Sequence, residues 1–321
     1  MNKKVGCINS RFDRILSAEQ KVHISARWNE IYVEKLLSIL ETFSPKWQLS
    51  NIQLYPFYSQ NCVFTCFSGM FGDAVIKVGY SPLENEYNCL HEFAGRGACE
   101  VFACDLAHHV ILEQRITPGT TLLEVTNQDD RIDKFVSLFE NLHVVPSADA
   151  AFPTIHEVMN RRLGYIRTRE DCHFLSRVID KAKNTLQSLC SKCTNQILLH
   201  GDLHHQNILL SQDQNYLIID PIGYIGDPVF DVSRFIMLEF DDNLTSAPEC
   251  EILEFISKVA DRLHMASSLL IQCLFVDNVT WLSSDLQHGE SLDDSQFIVD
   301  NIFVAERLLH SCAVSDSGLS K

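Results

Sequence analysis

The chain has 321 residues, long enough to bury a large core and to divide into two lobes, and its globular composition (46% hydrophobic, 21% charged) excludes a disordered chain. A formal net charge of −16 at pH 7 leaves no basic footprint for nucleic acid and is compatible with a cationic small molecule. The opening MNKKVGCINS has two lysines but no long apolar stretch after it, and no run reaches transmembrane length, so a soluble cytoplasmic protein with no membrane partner is expected.

Ile24, Trp28, Ile31, Tyr32, Leu36 and Ile39 recur close to the helical period, which predicts one helix over 19–43, ahead of Pro45 and with a packing role. Residues 49–68 take on strand character and are interrupted by Ser59-Gln60-Asn61, the expected turn between two strands. Phe71-Gly72-Asp73 then turns the chain into Ala74-Val75-Ile76-Lys77-Val78, a strand with one internal lysine. A helix is expected over 84–93, strands over 99–103 and 109–112, and a connection over 113–119 that ends at Pro118-Gly119. Beyond it, Ile132, Phe135, Val136, Phe139, Leu142 and Val145 follow helical spacing, as do Phe174, Leu175, Val178, Ile179, Ala182, Leu186 and Leu189. The stretch 148–168 between them reads as an irregular, solvated insert, with Arg161, Arg162, Arg167 and Arg169 nearby. The twelve cysteines are scattered, mostly within apolar runs, and read as free thiols of a reducing compartment; Cys190-x-x-Cys193 has no second pair at zinc spacing and reads as a helix end.

The stretch 199–236, LLHGDLHHQNILLSQDQNYLIIDPIGYIGDPVFDVSRFI, carries the chemistry. The apolar run 197–199 leads into His200-Gly201-Asp202, Asn207 opens a second short run, and Asp220 ends a third (216–219) after a turn-rich patch. Pairing of these runs as strands would bring Asp202, Asn207 and Asp220 to the same side of one hairpin-like unit. Phosphoryl transfer needs positioning and charge neutralisation, which an amide and a carboxylate supply through a hard divalent ion, and a further carboxylate to take the acceptor's proton. Asn207 and Asp220 suit the first task, and Asp202 the second.

The motif His200-Gly201-Asp202-Leu203-His204-His205-Gln206-Asn207 resembles the catalytic loop of aminoglycoside phosphotransferases. Its continuation, Ile219-Asp220-Pro221 through Gly226-Asp227-Pro228-Val229-Phe230-Asp231, is most similar to the streptomycin 6-phosphotransferase and hydroxyurea-kinase branch. The resemblance implies an α+β, protein-kinase-like two-lobe fold: an N-lobe with a small antiparallel sheet (1–112, including the N-terminal helix), a hinge (113–119) and a mostly helical C-lobe (120–321). It also implies ATP, with GTP left open, and Mg2+ as cofactors, Asp202 as catalytic base, and Asn207 and Asp220 as metal ligands. Lys77 resembles the third-strand lysine that contacts the nucleotide phosphates, where otherwise it would be a solvated edge lysine. Glu86, with Glu84 and Glu92 as rivals, resembles its partner, because Glu86 through Leu90 followed by Gly95-Arg96-Gly97 matches a family pattern. The resemblance further implies that the Glu113 carbonyl and the Arg115 amide hold the adenine edge, and that Asp231 braces the catalytic loop.

The first-turn acid of a helix over 229–240 is Asp231 itself. Clustered imidazoles at 200, 204 and 205 invite a zinc reading, but the resemblance makes them loop residues. From 241 to 321 fourteen acids stand against four bases on helical apolar periods. Most are solvated faces, and Asp241, Asp242, Asp277 or Asp285 are candidates to line a pocket for a cation. Ten residues separate Asp220 from Asp231, too few for a protein-kinase activation segment, and Gly201 stands where such a kinase has arginine, so a small-molecule acceptor is expected. Two departures bear on which one: Ile222 stands where relatives often have lysine, and the N-terminal helix lies outside the family pattern; the first strand turn also has no glycine, unlike the phosphate-covering loop of a protein kinase. An aminoglycoside such as streptomycin is the leading acceptor, an amino sugar or polyol the alternative, and a nucleotide-binding pseudokinase module the reading from another class.

Overall fold

The structure, a computed structural model, describes residues 15–56 and 61–318. They divide into two compact units, Met1–His91 with Cys99–Ile116, and Glu92–Ala98 with Thr117–Lys321.

The first unit is a five-stranded antiparallel sheet with α1 and α2 packed on one face. Its elements are α1 (Ala18–Arg27), α2 (Glu30–Lys46), β1 (Leu49–Leu54), β2 (Asn61–Ser68), β3 (Gly72–Gly79), α3 (Glu84–Glu92), β4 (Val101–Asp105) and β5 (Val110–Gln114), with strand order β1-β2-β3-β5-β4. The single helix expected over 19–43 is two. Ser17 and Gln20 close a capping box at the start of α1, Trp28 ends it, and the Asn29 side chain caps α2 by accepting from the Tyr32 amide at 2.8 Å. Periodicity persists across the break because both helices present their apolar faces to one core. Ile24, Tyr32, Leu36, Leu40 and Phe43 pack with Phe64, Ile76 and Val78 from the sheet. The Tyr32 hydroxyl also donates to the Val78 carbonyl at 2.6 Å, tying α2 to the strand that holds Lys77. Of the expected turn Ser59-Gln60-Asn61, the first two residues lie outside the described ones and Asn61 opens β2.

The second unit is mostly helical. It contains β6 (Pro118–Thr121), α4 (Gln128–Leu142), α5 (Ile155–Thr168), α6 (Ser176–Lys192), β7 (Ile197–Leu199), β8 (Ile208–Ser211), β9 (Tyr216–Ile218), β10 (Tyr224–Gly226), α7 (Val229–Glu239), α8 (Glu249–Leu263), α9 (Ser267–Gln287) and α10 (Gln296–Gly318). The insert expected to be irregular is in large part α5. Thr154 and Glu157 form a capping box, and Ile155, Val158, Met159, Leu163 and Ile166 make a buried stripe at helical spacing. Phe174 lies in a 3-10 turn before α6 and is exposed, and Val145 lies beyond the end of α4, so neither joins the core. Helix α9 is buried on nearly every side, its mostly apolar run from Leu269 to Val276 and its small polar residues alike, and packs against α5, α6, α7, α8 and α10. Two small sheets, β10-β7 and β6-β8-β9, gather the stretch between 197 and 226, with β10 against α5 and β9 against α4. The short apolar runs therefore pair in two sheets rather than one hairpin: 208–211 with 216–218, and 197–199 with 224–226. No single described helix is long and apolar enough to cross a membrane. The described cysteines are free thiols, and Cys193 caps the end of α6.

Candidate active site

In the first unit the site is built on strand alternation. Ala74, Ile76 and Val78 of β3 face the helices, which turns Lys77 to the other face of the sheet. There Lys77 is 2% exposed, and its Nζ makes an ion pair with Glu86 on α3 and lies 3.8 Å from Glu113 Oε2 on β5. A lysine this deeply buried keeps its charge only beside carboxylates. Of the rivals, Glu84 is exposed and Glu92 accepts from the Ser147 amide at 3.1 Å, so it is Glu86 that meets Lys77. The Glu113 side chain also reaches Lys77, which the sequence reading did not anticipate. Along the backbone, Glu113 stands in register with Val75 and Val101, and the Arg115 amide donates to the Asp73 carbonyl at 3.3 Å. That bond, at the end of the β3–β5 ladder, engages the amide expected to hold the adenine edge.

In the second unit one carboxylate organises the loop. Asp231, in the first turn of α7 and 1% exposed, accepts from the His200 and Gly201 amides, both at 2.8 Å, and lies 2.9 Å from His143 Nε2. The His200 ring is wholly buried: its Nε2 donates to the Ile219 carbonyl at 3.0 Å, and its Nδ1 accepts from the Asp202 amide at 3.2 Å. Burial holds this imidazole below its usual pKa, hence neutral, as that donor and acceptor pair requires. Gly201 adopts φ +84, where a Cβ would lie 2.7 Å from the Tyr224 ring. Both constraints exclude larger residues.

These bonds bring Asp202, Asn207 and the end of the 216–219 run together. Asn207 Nδ2 donates to the Asp202 carbonyl at 3.0 Å, and the Ile219 amide donates to the Asn207 carbonyl at 3.0 Å, which sets Asp220 beside the loop, exposed and at φ +58. With its nitrogen committed, the Asn207 amide has its oxygen left for a cation, and Asp220 supplies a carboxylate; both are the hard oxygen donors that magnesium takes. The three histidines go to separate partners. His204 Nδ1 accepts from the Gln206 amide at 3.2 Å, while His205 stacks on Phe235 with ring centroids 4.2 Å apart and sets Nε2 3.3 Å from Glu239.

The Asp202 carboxylate is one-third exposed and meets two cationic or potentially cationic groups. Arg234 Nε donates to Oδ1 at 3.1 Å, and His204 Nε2 lies 3.5 Å from Oδ2. Burial raises the carboxyl's pKa, but His204, Arg234 and His200 outweigh it and hold the group well below the usual carboxylate range. Arg234 continues to Asp242, with Nη1 3.2 Å from Oδ1, and its guanidinium carbon lies 4.8 Å from the Trp281 ring centroid. Burial works against its charge, and Asp202, Asp242 and Asp277 more than compensate. Asp277 accepts from Ser233 Oγ at 3.0 Å, and burial pushes its carboxyl up. Of the four candidate pocket acids, Asp242 and Asp277 therefore gather around Arg234, Asp285 accepts from Ser295, and Asp241 is exposed. The sequence reading missed Arg234 and Trp281. A signal for Arg234 was present: it is the one cation of a mostly apolar helix, one turn after Asp231.

An antiparallel sheet with a buried lysine–glutamate pair, and a helical unit with a braced H-G-D loop, together define a kinase-like fold. Residues 71–279 match the family described as aminoglycoside/hydroxyurea antibiotic resistance kinase, and the chain belongs to that family. Streptomycin 3''-kinase of Klebsiella pneumoniae is 30% identical over 165 residues, 50% of this chain and 59% of that protein. Streptomycin 6-kinase of Streptomyces griseus is 25% identical over 149 residues, 44% of this chain and 47% of that protein. The chain thus spans about half the length of the curated relatives it matches. Among solved structures, choline kinase LicA from Streptococcus pneumoniae superposes with a TM-score of 0.61 at 17% identity, over 87% of this chain and 99% of that one. A thermostable mutant of aminoglycoside phosphotransferase APH(4)-Ia, in ternary complex with ADP and hygromycin B, gives 0.59 at 13% identity, over 85% and 98%. At these identities the structural likeness concerns the fold.

Proposed function

We propose that the protein is an ATP- and magnesium-dependent phosphotransferase that phosphorylates a hydroxyl of a small cationic molecule, with streptomycin as the leading acceptor. The observation that carries this reading is the Asp202 loop: a partly exposed carboxylate on a backbone fixed by Asp231 and His200, with the Asn207 side-chain nitrogen bonded to the Asp202 carbonyl. Asp202 orients the acceptor hydroxyl and receives its proton as the oxygen bonds to the γ-phosphorus, and ADP leaves with the electrons of the broken P–O bond. Asn207 and Asp220 would hold magnesium, which neutralises phosphate charge. Lys77, ordered by Glu86 and Glu113, would contact the nucleotide phosphates. Nucleotide contact through the Arg115 amide would require that amide to leave the Asp73 carbonyl. Between Asp220 and Asp231 the chain forms β10, paired to β7, which supports a small acceptor over a protein one. The free thiols suit a reducing cytoplasm.

The test is coupled ADP release with MgATP against streptomycin, other aminoglycosides, hydroxyurea and amino sugars, with Asp202→Ala as control. Stimulation by streptomycin that disappears in the variant is expected. Stimulation by an amino sugar or polyol alone would move the acceptor to metabolism and keep the mechanism. Nucleotide binding without turnover toward any of them would favour the pseudokinase reading.

A further inference from the structure

We propose that Arg234 is the positioning residue for Asp202: its guanidinium, bridging Asp202 and Asp242 across the Trp281 face, fixes the carboxylate so that Oδ2 is presented to the acceptor hydroxyl. The proposal deepens the reading of Asp202 as proton acceptor and rests on it. The two carboxylate oxygens are not equivalent. Oδ1 takes the Arg234 Nε–H at 3.1 Å, whereas the polar neighbour of Oδ2 is His204 Nε2 at 3.5 Å, beyond a good hydrogen bond. Holding Oδ1 sets the rotation of the carboxyl group about its last bond, which is otherwise broad.

Arg234 is itself held from outside the loop. Its second anchor, Asp242 Oδ1, is 3.2 Å from Nη1, and the Asp242 carbonyl accepts from Asn301 Nδ2 at 2.7 Å. Asn301, wholly buried on α10, also accepts from the Leu244 amide at 2.8 Å through Oδ1, so both ends of its amide are committed. Trp281 presents its ring to the guanidinium and packs edge-on against Phe297, with centroids 5.7 Å apart. The path from α10 through Asp242 and Arg234 to Asp202 is thus a series of direct bonds. Only a planar fork fits: Nε and Nη1 address two carboxylates from one rigid group, which the point charge of lysine does not do. At 17% exposure the side chain has little room to swing elsewhere.

The experiment uses Arg234→Ala and Arg234→Met, with melting curves to confirm folding, and the acceptor that the wild-type protein phosphorylates. In Arg234→Ala, kcat is expected to fall about tenfold or more with KM for ATP unchanged. Millimolar methylguanidinium should restore a measurable part of the loss, while urea, its neutral analogue, should not. A kcat within about twofold of wild type in both folded variants, or a loss that methylguanidinium does not relieve, overturns the proposal. A second arm needs no acceptor: saturation-transfer NMR on the methyl signal of methylguanidinium. Binding to Arg234→Ala is expected to weaken about fivefold or more when Asp202→Asn is added, and equal binding overturns the bridge. A wild-type protein that phosphorylates nothing in the panel counts against the phosphotransferase reading, and the NMR arm then decides the bridge by itself.

Discussion

Asp231 is the most consequential carboxylate in the second unit that makes no expected contact with substrate, and its removal should be costly in two separate ways. It is 1% exposed and accepts from the His200 and Gly201 amides at 2.8 Å each, with His143 Nε2 at 2.9 Å. Hydrogen bonds to a charged group contribute about 1.5–3 kcal/mol each, and a buried amide left without its acceptor costs a similar amount. Because the three bonds share one acceptor group they are not additive, and about 4 kcal/mol is expected for Asp231→Ala. Asp231→Asn keeps the volume but turns one acceptor into a donor facing an N–H, for about 2–3 kcal/mol. Urea denaturation followed by circular dichroism measures both. In folded protein under native conditions, Asp231→Asn should also lower kcat about a hundredfold with little change in KM for ATP, because His200 and Gly201 set the position of Asp202. A variant within about 1 kcal/mol of wild type would show that the loop backbone is held by something else, and the bracing argument would fail.

Asp202→Ala should reduce phosphoryl transfer by about 10²–10⁴-fold while MgATP affinity, measured calorimetrically, stays within about threefold. Lys77→Met leaves Glu86 and Glu113 buried without their cation and should destabilise the protein by about 3–5 kcal/mol as well as weaken nucleotide binding; a melting temperature equal to wild type would contradict this. Glu239 gives the pH dependence. Burial raises its carboxyl, but His205, Arg131 and Gln128 more than reverse that and bring it down to about 2. A folded-state value below the unfolded one stabilises the fold fully above the ordinary carboxylate range and loses that contribution as pH falls toward 2, for about 3 kcal/mol in all. Wild-type stability should therefore drop between about pH 5 and pH 2, and Glu239→Gln should flatten that slope; parallel curves would refute it. Gly201→Ala, at φ +84 and with a Cβ 2.7 Å from Tyr224, should cost about 2–3 kcal/mol in the same denaturation assay.

Lys77 was legible because a strand has period two, and a lysine within an otherwise apolar β3 must lie on the face opposite Ile76 and Val78. The loop from His200 to Asn207 was legible because its chemistry is compressed into eight residues. Where helical periodicity was read without caps, the outcome was mixed. The Asn29 cap divides what looked like one helix, and the Thr154 and Glu157 box starts a helix where interspersed arginines had masked the apolar stripe of α5.

The family and the residue types that meet at the loop are legible along the chain, because turns and motif spacing are short-range properties. Tertiary packing sets the pairings. It chose Glu86 over Glu84 and Glu92, added the Glu113 side chain to Lys77, engaged the Arg115 amide with Asp73, and selected Asp242 and Asp277 from the acidic C-terminal region. It also joined Arg234 to Asp202 across 32 positions and Asn301 to Asp242 across 59. Such contacts depend on how α7, α9 and α10 pack around one another, and packing is set by side chains far apart in the sequence whose meeting no local pattern records.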